Sequence, residues 1–280
     1  MSGWRTRANR TLTSLTGYRL TKAPAGSPRP RATPPTKAPN PTKSAPPARP
    51  AKPAKDRFPR DFGEAERAII DAVRPYTMTG NDKLHALITA TRYIHDHAVP
   101  GAVVECGVWR GGSMQAVART LDMSGDHSRD LYLFDTFEGM TEPSDHDTRH
   151  DGRSAAQLLA ASDRTAGVWA QASLADVQEG FAQVPYPADR VHYVQGSVEE
   201  TVPGEAPDRI ALLRLDTDWY ESTRHELDHL YPRLVSGGVL ILDDYGYWKG
   251  ARKATDEFLE RTGERLLLIR INTGRIAVKP

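Results

Sequence analysis

The sequence predicts an α/β domain whose sheet is mainly parallel. Its most informative stretch holds two apolar runs, residues 210–213 and 239–242, and acidic residues follow closely after each. The residues between them, 220–234, have a helical pattern, and a strand–helix–strand connection makes the two strands parallel. Both acidic ends therefore lie at the carboxyl edge of the sheet, where open α/β sheets bind ligands.

The first 57 residues differ sharply from the rest of the 280-residue chain. They contain thirteen Lys or Arg residues against one acidic residue, and eleven of the 21 prolines. Residues 58–280 hold 24 basic and 35 acidic side chains, so the net charge of +1 conceals two oppositely charged parts. A stretch so poor in apolar side chains cannot offset its ordering entropy. We therefore expect a disordered basic tail over 1–57 and one α/β domain over 58–280.

The amino-terminal half of this domain alternates helical and extended patterns. Leu84, Leu87, Ile88 and Ile94 recur at the spacing of one helix face. The elements predicted here are helices over residues 64–74, 83–97 and 113–121 and strands over 102–106 and 131–134. A long polar connection follows over 135–154, and loops of this length inside compact domains are usually lids or binding loops.

The carboxyl-terminal half adds three parallel strands and ends in a hairpin. The spacing of Ser173 and Asp176 predicts a helix that begins there. The other predicted elements are helices over 155–161, 220–234 and 250–261, strands over 191–194, 210–215 and 239–242, and hairpin strands over 266–271 and 275–278. Five parallel strands with intervening helices form a doubly wound sheet with helices on both faces and an antiparallel edge.

Composition excludes several classes of protein. The single cysteine, Cys106, falls in a predicted buried strand, which rules out a disulfide framework and favours a cytoplasmic location. The sequence has no run of 18 apolar residues and no secretory signal pattern, so we expect no membrane span. The tail has no aromatic residue over 23–55 to stack on bases, so we expect a solvated tether and no nucleic-acid partner. A docking role for the tail is the alternative. The oligomeric state stays open, with a homo-oligomer as one alternative.

The first predicted strand runs into a glycine loop suited to a nucleotide. Residues 105–113 read ECGVWRGGS. Glycines allow a ligand close to the backbone, and the helix that follows offers free N–H groups at its first turn. The spacing differs from the dinucleotide fingerprint, so NAD and FAD are disfavoured. Glu105 suits a cationic ligand or a ligand rich in hydrogen-bond donors.

The next two strand ends carry an acid and a small polar residue. Asp135 follows the second strand at the position where a carboxylate accepts both ribose hydroxyls, although a turn-capping role is the competing interpretation. Ser197, after the third strand, is suited to an adenine edge. Adenosine with a charged amino-acid group satisfies all three strand ends, which indicates S-adenosylmethionine.

The last two parallel strands end in four carboxylates. Asp216 and Asp218 follow the fourth strand, and Asp243 and Asp244 follow the fifth. Four carboxylates at one edge repel one another unless a cation neutralises them or a proton is retained. The alternative is a set of ordinary solvated loop acids.

These motifs together resemble the macrocin O-methyltransferase family, a family of metal-dependent sugar O-methyltransferases. The resemblance extends roughly from residue 64 to the carboxyl terminus and leaves the tail outside. It rests on residues 76–78 (YTM), 104–113 (VECGVWRGGS), 133–140 (LFDTFEGM), 214–223 (RLDTDWYEST) and 240–245 (LILDDY).

The resemblance implies a class I methyltransferase fold that depends on S-adenosylmethionine and magnesium. It implies that Asp216, Asp243 and Asp244 hold the metal and that Asp218 is the general base. Together with the strand-end pattern, it assigns the following residues to the cofactor: Thr77, Met78, Glu105, Gly107, Gly111, Ser113, Asp135, Gly196 and Ser197.

The same resemblance implies that the acceptor is a deoxysugar hydroxyl of a glycosylated natural product. His146 and His150 lie in the long polar connection and are open candidates for contacts with this substrate. A catechol-type small-molecule O-methyltransferase and a non-catalytic cofactor-binding module are the alternatives. The intact set of four aspartates argues against the second.

Overall fold

The computed structural model describes residues 58–163 and 167–280, and the predicted tail over 1–57 lies outside the described residues. Within them the chain forms a seven-stranded sheet with strand order β3-β2-β1-β4-β5-β7-β6. Strands β1 to β5 pair in parallel, and β7 pairs antiparallel with both β5 and β6. The predicted doubly wound sheet with an antiparallel carboxyl-terminal hairpin is therefore confirmed.

The elements alternate along the chain as the patterns predict. The strands are β1 Ala102–Cys106, β2 Leu131–Asp135, β3 Val191–Gln195, β4 Ile210–Leu215, β5 Leu234–Leu242, β6 Ile269–Ile271 and β7 Gly274–Val278. The helices are α1 Glu64–Val73, α2 Asn81–Asp96, α3 Gly112–Met123, α4 Ala155–Ala160, α5 Leu174–Phe181, α6 Val198–Thr201, α7 Tyr220–Leu230 and α8 Lys249–Thr262.

Apolar side chains cover the sheet on both faces because successive residues of each strand point to opposite sides. On one face, Val103, Leu133 and Leu212 join a core with apolar residues of α2, α3 and α5. On the other, Val104 and Leu213 pack with residues of α7 and α8. Strands β1 and β4 are buried along their whole length, which explains their unbroken apolar patterns.

The prediction of a helix over residues 220–234 is wrong at its carboxyl end. Helix α7 stops at Leu230, a short 3-10 turn covers Tyr231–Arg233, and β5 already starts at Leu234. Pro232 has no N–H to continue the helix. Residues 236–238 (SGG), just beyond the predicted helix end, lie inside β5 at an irregular pairing with β4.

A long connection between β2 and β3 forms a separate layer over the carboxyl edge. Its helix α4 and the side chains of Trp219, Trp248 and Ala251 build a small apolar cluster of their own. Ser173 caps α5, because its side chain accepts the N–H of Asp176 at 3.2 Å, as predicted. The part of this layer around residues 139–141 and 170 borders the cleft described next.

Candidate active site

A cleft with a volume of about 250 Å³ opens at the carboxyl edge of the parallel strands. Gly107 lies where β1 leaves the sheet, with φ of +83°, and a side chain there would place its Cβ 2.1 Å from the backbone oxygen of Asp216. Only glycine therefore allows the ends of β1 and β4 to approach this closely. The cleft consequently has a wall of bare backbone at this point.

The carboxylate of Asp135 organises the glycine loop. Its Oδ2 accepts the backbone N–H groups of Val108 at 2.7 Å and Trp109 at 3.0 Å, and its Oδ1 accepts that of Phe137 at 2.7 Å. The Thr136 hydroxyl lies 3.5 Å from Oδ1 but is closer, at 2.7 Å, to the carbonyl of Gly139. A carboxylate has about four acceptor positions, so capacity for a ligand hydroxyl remains. Burial raises the pKa of Asp135, and the three N–H groups partly offset this rise because they stabilise the charged carboxylate. The capping interpretation thus applies, and Asp135 also borders the cleft.

The predicted cofactor residues fall into two groups. Met78, Gly107, Asp135, Gly196 and Ser197 line the cleft. Thr77, Glu105, Gly111 and Ser113 lie behind the cleft surface. Gly111 takes a positive φ of +79° before α3 and packs against α5, and Ser113 is buried in the first turn of α3. These four residues support the glycine loop without lining the cleft.

The predicted acidic cluster assembles at the ends of β4 and β5. One carboxylate oxygen from each of Asp216, Asp243 and Asp244 lies within 4.8 Å of the others. Asp243 and Asp244 are 7% and 8% exposed, so they are shielded from the solvent that would otherwise screen their charges. Asp218 borders the same cleft.

Two cationic side chains that we did not predict also enter this cluster. Arg214 is buried within β4, and its guanidinium contacts Glu105, Asp216 at 2.7 Å and Asp243 at 2.6 Å. Lys83, from the first turn of α2, contacts the other oxygen of Asp243 and its backbone carbonyl at 3.0 Å. Arg214 interrupts the apolar pattern of β4, and this interruption is the signal from which a buried ion pair could have been predicted.

Burial and charge separate the pKa values of the clustered acids. Burial raises the pKa of both Asp216 and Asp244, and the neighbouring carboxylates add to this rise. Burial acts the same way on Asp243, but Arg214 and Lys83 outweigh it and hold the pKa of Asp243 below its ordinary value. Asp243 is therefore the acid most firmly held in its charged form.

Asp218 has the properties of a general base. Burial, followed by the charge of Asp216, raises the pKa of Asp218 to about 7. A base with a pKa near the working pH transfers protons most effectively. Its backbone φ is +71°, an unusual value for a residue other than glycine.

The carboxylates outnumber the cations at this edge of the sheet. In the part of the chain that the structure describes, Arg214 and Lys83 are the cations that pair with these acids, and they contact Glu105, Asp216 and Asp243. Asp218 and Asp244 add two further carboxylates. Three aspartate oxygens in mutual reach are the hard ligands that Mg²⁺ prefers. The residues present therefore fit a divalent cation held by Asp216, Asp243 and Asp244. Glu105 is fully buried and its Oε2 has no hydrogen-bond partner among the described residues.

The side chains flanking the acids divide between cleft and core. Trp219 and Trp248 are buried and pack edge to face, with ring centroids 5.0 Å apart. Trp109, which we did not single out, lines the cleft instead. His146 and His150 are exposed and do not line it.

Asp147, between these two histidines, fixes the connection to the domain. It is 1% exposed, and its Oδ1 accepts the backbone N–H of Tyr220 at the start of α7 at 2.8 Å. Its Oδ2 accepts the N–H and hydroxyl of Ser144, each at 2.8 Å. The sequence offered no periodic signal to separate this buried aspartate from its exposed neighbours.

The fold and the cleft together define the class of protein. The strand order, with an antiparallel β7 between β5 and β6, and a ligand cleft at the strand ends are those of class I methyltransferases. Among solved structures, the O-methyltransferase NovP is similar, with a TM-score of 0.64 and 29% identity over 73% of this chain and 82% of that one. The calicheamicin methyltransferase CalS11 shares the fold, with a TM-score of 0.54 at 20% identity over 81% of this chain and 98% of that one.

Comparison of the sequence identifies the family. Residues 47–276 match the Macrocin-O-methyltransferase (TylF) family, to which the chain belongs, and the match starts within the segment predicted as tail. A tetracenomycin-C 4'-O-methyltransferase of Streptomyces olivaceus, which acts on a dimethoxy-rhamnosyl derivative, is 35% identical over 67% of this chain and 69% of its own length. Mycinamicin III 3''-O-methyltransferase of Micromonospora griseorubida is 32% identical over 67% and 72%. Demethyldecarbamoylnovobiocin O-methyltransferase of Streptomyces niveus is 31% identical over 65% and 67%.

The chain is accordingly an O-methyltransferase, as the resemblance predicted. Within the described residues, every helix is too short or too polar to cross a membrane.

Proposed function

We propose that this protein uses S-adenosylmethionine and Mg²⁺ to methylate a hydroxyl of a deoxysugar on a glycosylated natural product. The observation that carries the proposal is the position of Asp218, whose pKa is raised to about 7, beside the cluster of Asp216, Asp243 and Asp244. The relatives from Streptomyces and Micromonospora support a sugar hydroxyl on an antibiotic as the acceptor.

In the half of the cleft formed by β1, β2 and β3, exposed backbone and a few polar side chains bind the cofactor. Asp135, Gly196 and Ser197 border the space where an adenosine fits, and Gly107 leaves room beside the backbone. S-adenosylmethionine, when bound there, supplies a methyl group on a positively charged sulfur. The excess of carboxylates at the neighbouring strand ends favours a ligand with that charge.

The acidic half of the cleft binds and deprotonates the acceptor. A magnesium ion held by the three aspartates would orient the sugar hydroxyl and make it more acidic. Asp218 takes the proton from this hydroxyl, and the oxygen then attacks the methyl group as the bond from that carbon to the sulfur breaks and a neutral thioether leaves. Trp109 and Met140 border the cleft with apolar surface that packs against a sugar ring.

The test compares two conservative variants with an exposed control. Asp218→Asn should lower kcat about 10²–10⁴-fold while cofactor and metal still bind. Asp243→Asn should instead weaken Mg²⁺ binding in calorimetry, with activity partly restored by excess Mg²⁺. Asp145→Asn, at an exposed aspartate of the long connection, should match the wild type.

Turnover is measured on rhamnoside glycosides and on catechol, with and without a chelator. Full activity in the chelator contradicts the metal assignment, and faster methylation of catechol than of any glycoside contradicts the acceptor class. If Asp218→Asn keeps the full rate, the base must be sought elsewhere in the cleft.

A further inference from the structure

A buried carboxyl group lies behind the site and takes no part in the chemistry proposed above. Glu226, on α7, is 0% exposed, and its Oε1 accepts the hydroxyl of Thr217 at 2.9 Å. Its Oε2 is buried without a hydrogen-bond partner in the described residues. A buried acid costs folding free energy unless its interactions compensate. A leucine at this helix position would fill the space without that cost.

Thr217 is the first residue of an unusual turn. The N–H of Trp219 donates to the carbonyl of Thr217 at 2.9 Å, which closes a three-residue γ-turn around Asp218. Asp218 has a φ of +71°, so this is the γ-turn form with a positive φ at its centre, which is rare and strained. Strained backbone of this kind persists only where surrounding contacts hold it.

We propose that Thr217 and Glu226 form a positioning pair that holds the γ-turn and so directs the Asp218 carboxylate towards the acceptor hydroxyl. The inference rests on the proposed function, in which Asp218 is the base. The hydroxyl of Thr217 is tied to a helix, so the residue before Asp218 cannot rotate freely. Without this tie the turn can relax to a negative φ, and the carboxylate then moves away from the other acids.

The chemistry of the pair explains why an acid is used. Burial raises the pKa of Glu226, which favours the neutral form of this group in the folded protein. Its neighbour Cys106 is also held neutral, because burial raises the pKa of the thiol. A neutral carboxyl accepts the Thr217 hydroxyl without adding another negative charge beneath the aspartates. Glutamine has the same shape and the same acceptor, and it is therefore the matched substitute.

The experiment measures kcat and KM in the full chain with Mg²⁺ for four variants. Thr217→Val and Glu226→Leu should each lower kcat about tenfold to hundredfold, because a misplaced catalytic group loses that order of rate. KM for S-adenosylmethionine should stay within about twofold. Glu226→Gln should keep kcat within about threefold of the wild type. Thr255→Val, which removes a buried hydroxyl bonded to its own helix, should change neither constant.

The double variant Thr217→Val/Glu226→Leu should be no slower than the slower single variant, because the two side chains act as one unit. A crystal structure of Thr217→Val provides a readout apart from activity: the φ of Asp218 should leave the positive region. Wild-type kcat in Thr217→Val, additive losses in the double variant, or an unchanged Asp218 turn would each overturn the pair.

Asp218→Asn, assayed alongside, separates the two proposals. If Asp218→Asn is impaired and Thr217→Val is not, the positioning pair is wrong and the base assignment stands. If Asp218→Asn retains its full rate, the proposed base fails, and the crystal structure alone then decides whether Thr217 and Glu226 hold the turn. Should Glu226→Leu not fold, Thr217→Val and Glu226→Gln decide the result.

Discussion

Along β1 and β2, the cleft is built from backbone: Gly107 exposes main chain, and N–H groups of the glycine loop converge on Asp135. Along β4 and β5, it is built from crowded side chains, in which Arg214 contacts Asp216 and Asp243. The geometry of the first half depends on a glycine without a side chain, and that of the second half depends on the balance of charges. The two halves should therefore fail under different substitutions, one under an added methyl group and the other under a lost charge.

Adding one methyl group to the backbone half should have the largest effect. Gly107→Ala places Cβ 2.1 Å from the Asp216 carbonyl oxygen at a φ of +83°. We expect a loss of at least about 3 kcal/mol in the free energy of unfolding, measured by urea denaturation. Gly80→Ala is the control, because its Cβ would meet no atom within 4 Å. Equal stability of the two variants would contradict the close approach of β1 and β4.

Removing the carboxylate that organises the glycine loop of the backbone half should weaken cofactor binding. Asp135→Ala loses acceptors both for the glycine loop and for a ribose. We expect S-adenosylmethionine to bind at least tenfold more weakly by calorimetry, which is about 1.4 kcal/mol. Asp130→Ala, just before β2 and at the opposite edge of the sheet, should bind as the wild type does. Unchanged cofactor affinity in Asp135→Ala would show that Asp135 only caps the glycine loop and does not bind the cofactor.

The charge balance of the second half should produce a pH-dependent stability. Glu105 stands on β1 but pairs with Arg214 of the second half, and burial raises the pKa of Glu105 to about 7, from an ordinary value of 4.5. The folded protein retains this proton longer than the unfolded chain, so its stabilisation is present at low pH and is lost as the pH rises through about 7. Without metal, stability should fall by up to about 1.4 kcal/mol per pH unit for this proton.

Thermal unfolding of chelated protein between about pH 5 and 8 tests this slope. Glu105→Gln cannot titrate, and its stability should fall less steeply than that of the wild type. Identical slopes would show that Glu105 is ionised throughout, paired with Arg214.

The smallest effect is expected outside both halves. Deletion of residues 1–46, which precede the family match, should leave the thermal midpoint and kcat unchanged, because we predict that no apolar group there joins the core. An inactive or aggregated truncation would show that the segment contributes to the domain.

The fold was predictable because its signals are local. The apolar run of β4, the glycine after β1 and the acids after β5 can each be recognised from a few consecutive residues of the sequence. The prediction placed the end of α7 too late because Pro232 ends the helix before the glycines at 237 and 238. Residues brought in from distant elements were harder to predict. Lys83 reaches Asp243 across 160 positions, and no spacing in the sequence reports that contact.

The same limit applies within the site. The acids at strand ends could be located from the parallel connection alone, whereas their protonation depends on burial, which only the packed structure supplies. Glu226 illustrates this, because on a helix facing the core an acid and a leucine occupy equivalent positions in the pattern.

The layered connection between β2 and β3 has an evolutionary consequence. Met140, Thr141 and Ala170 border the cleft from this connection, whereas the proposed catalytic acids stand on strand ends. The connection is anchored to the domain at two places: Asp147 accepts a backbone N–H of α7, and α4 packs on Trp219, Trp248 and Ala251. Between these anchors it can diversify in sequence and length while the acids keep their positions. Such an arrangement lets a lineage acquire new acceptors by exchanging one wall of the cleft, with the methyl-transfer apparatus inherited intact.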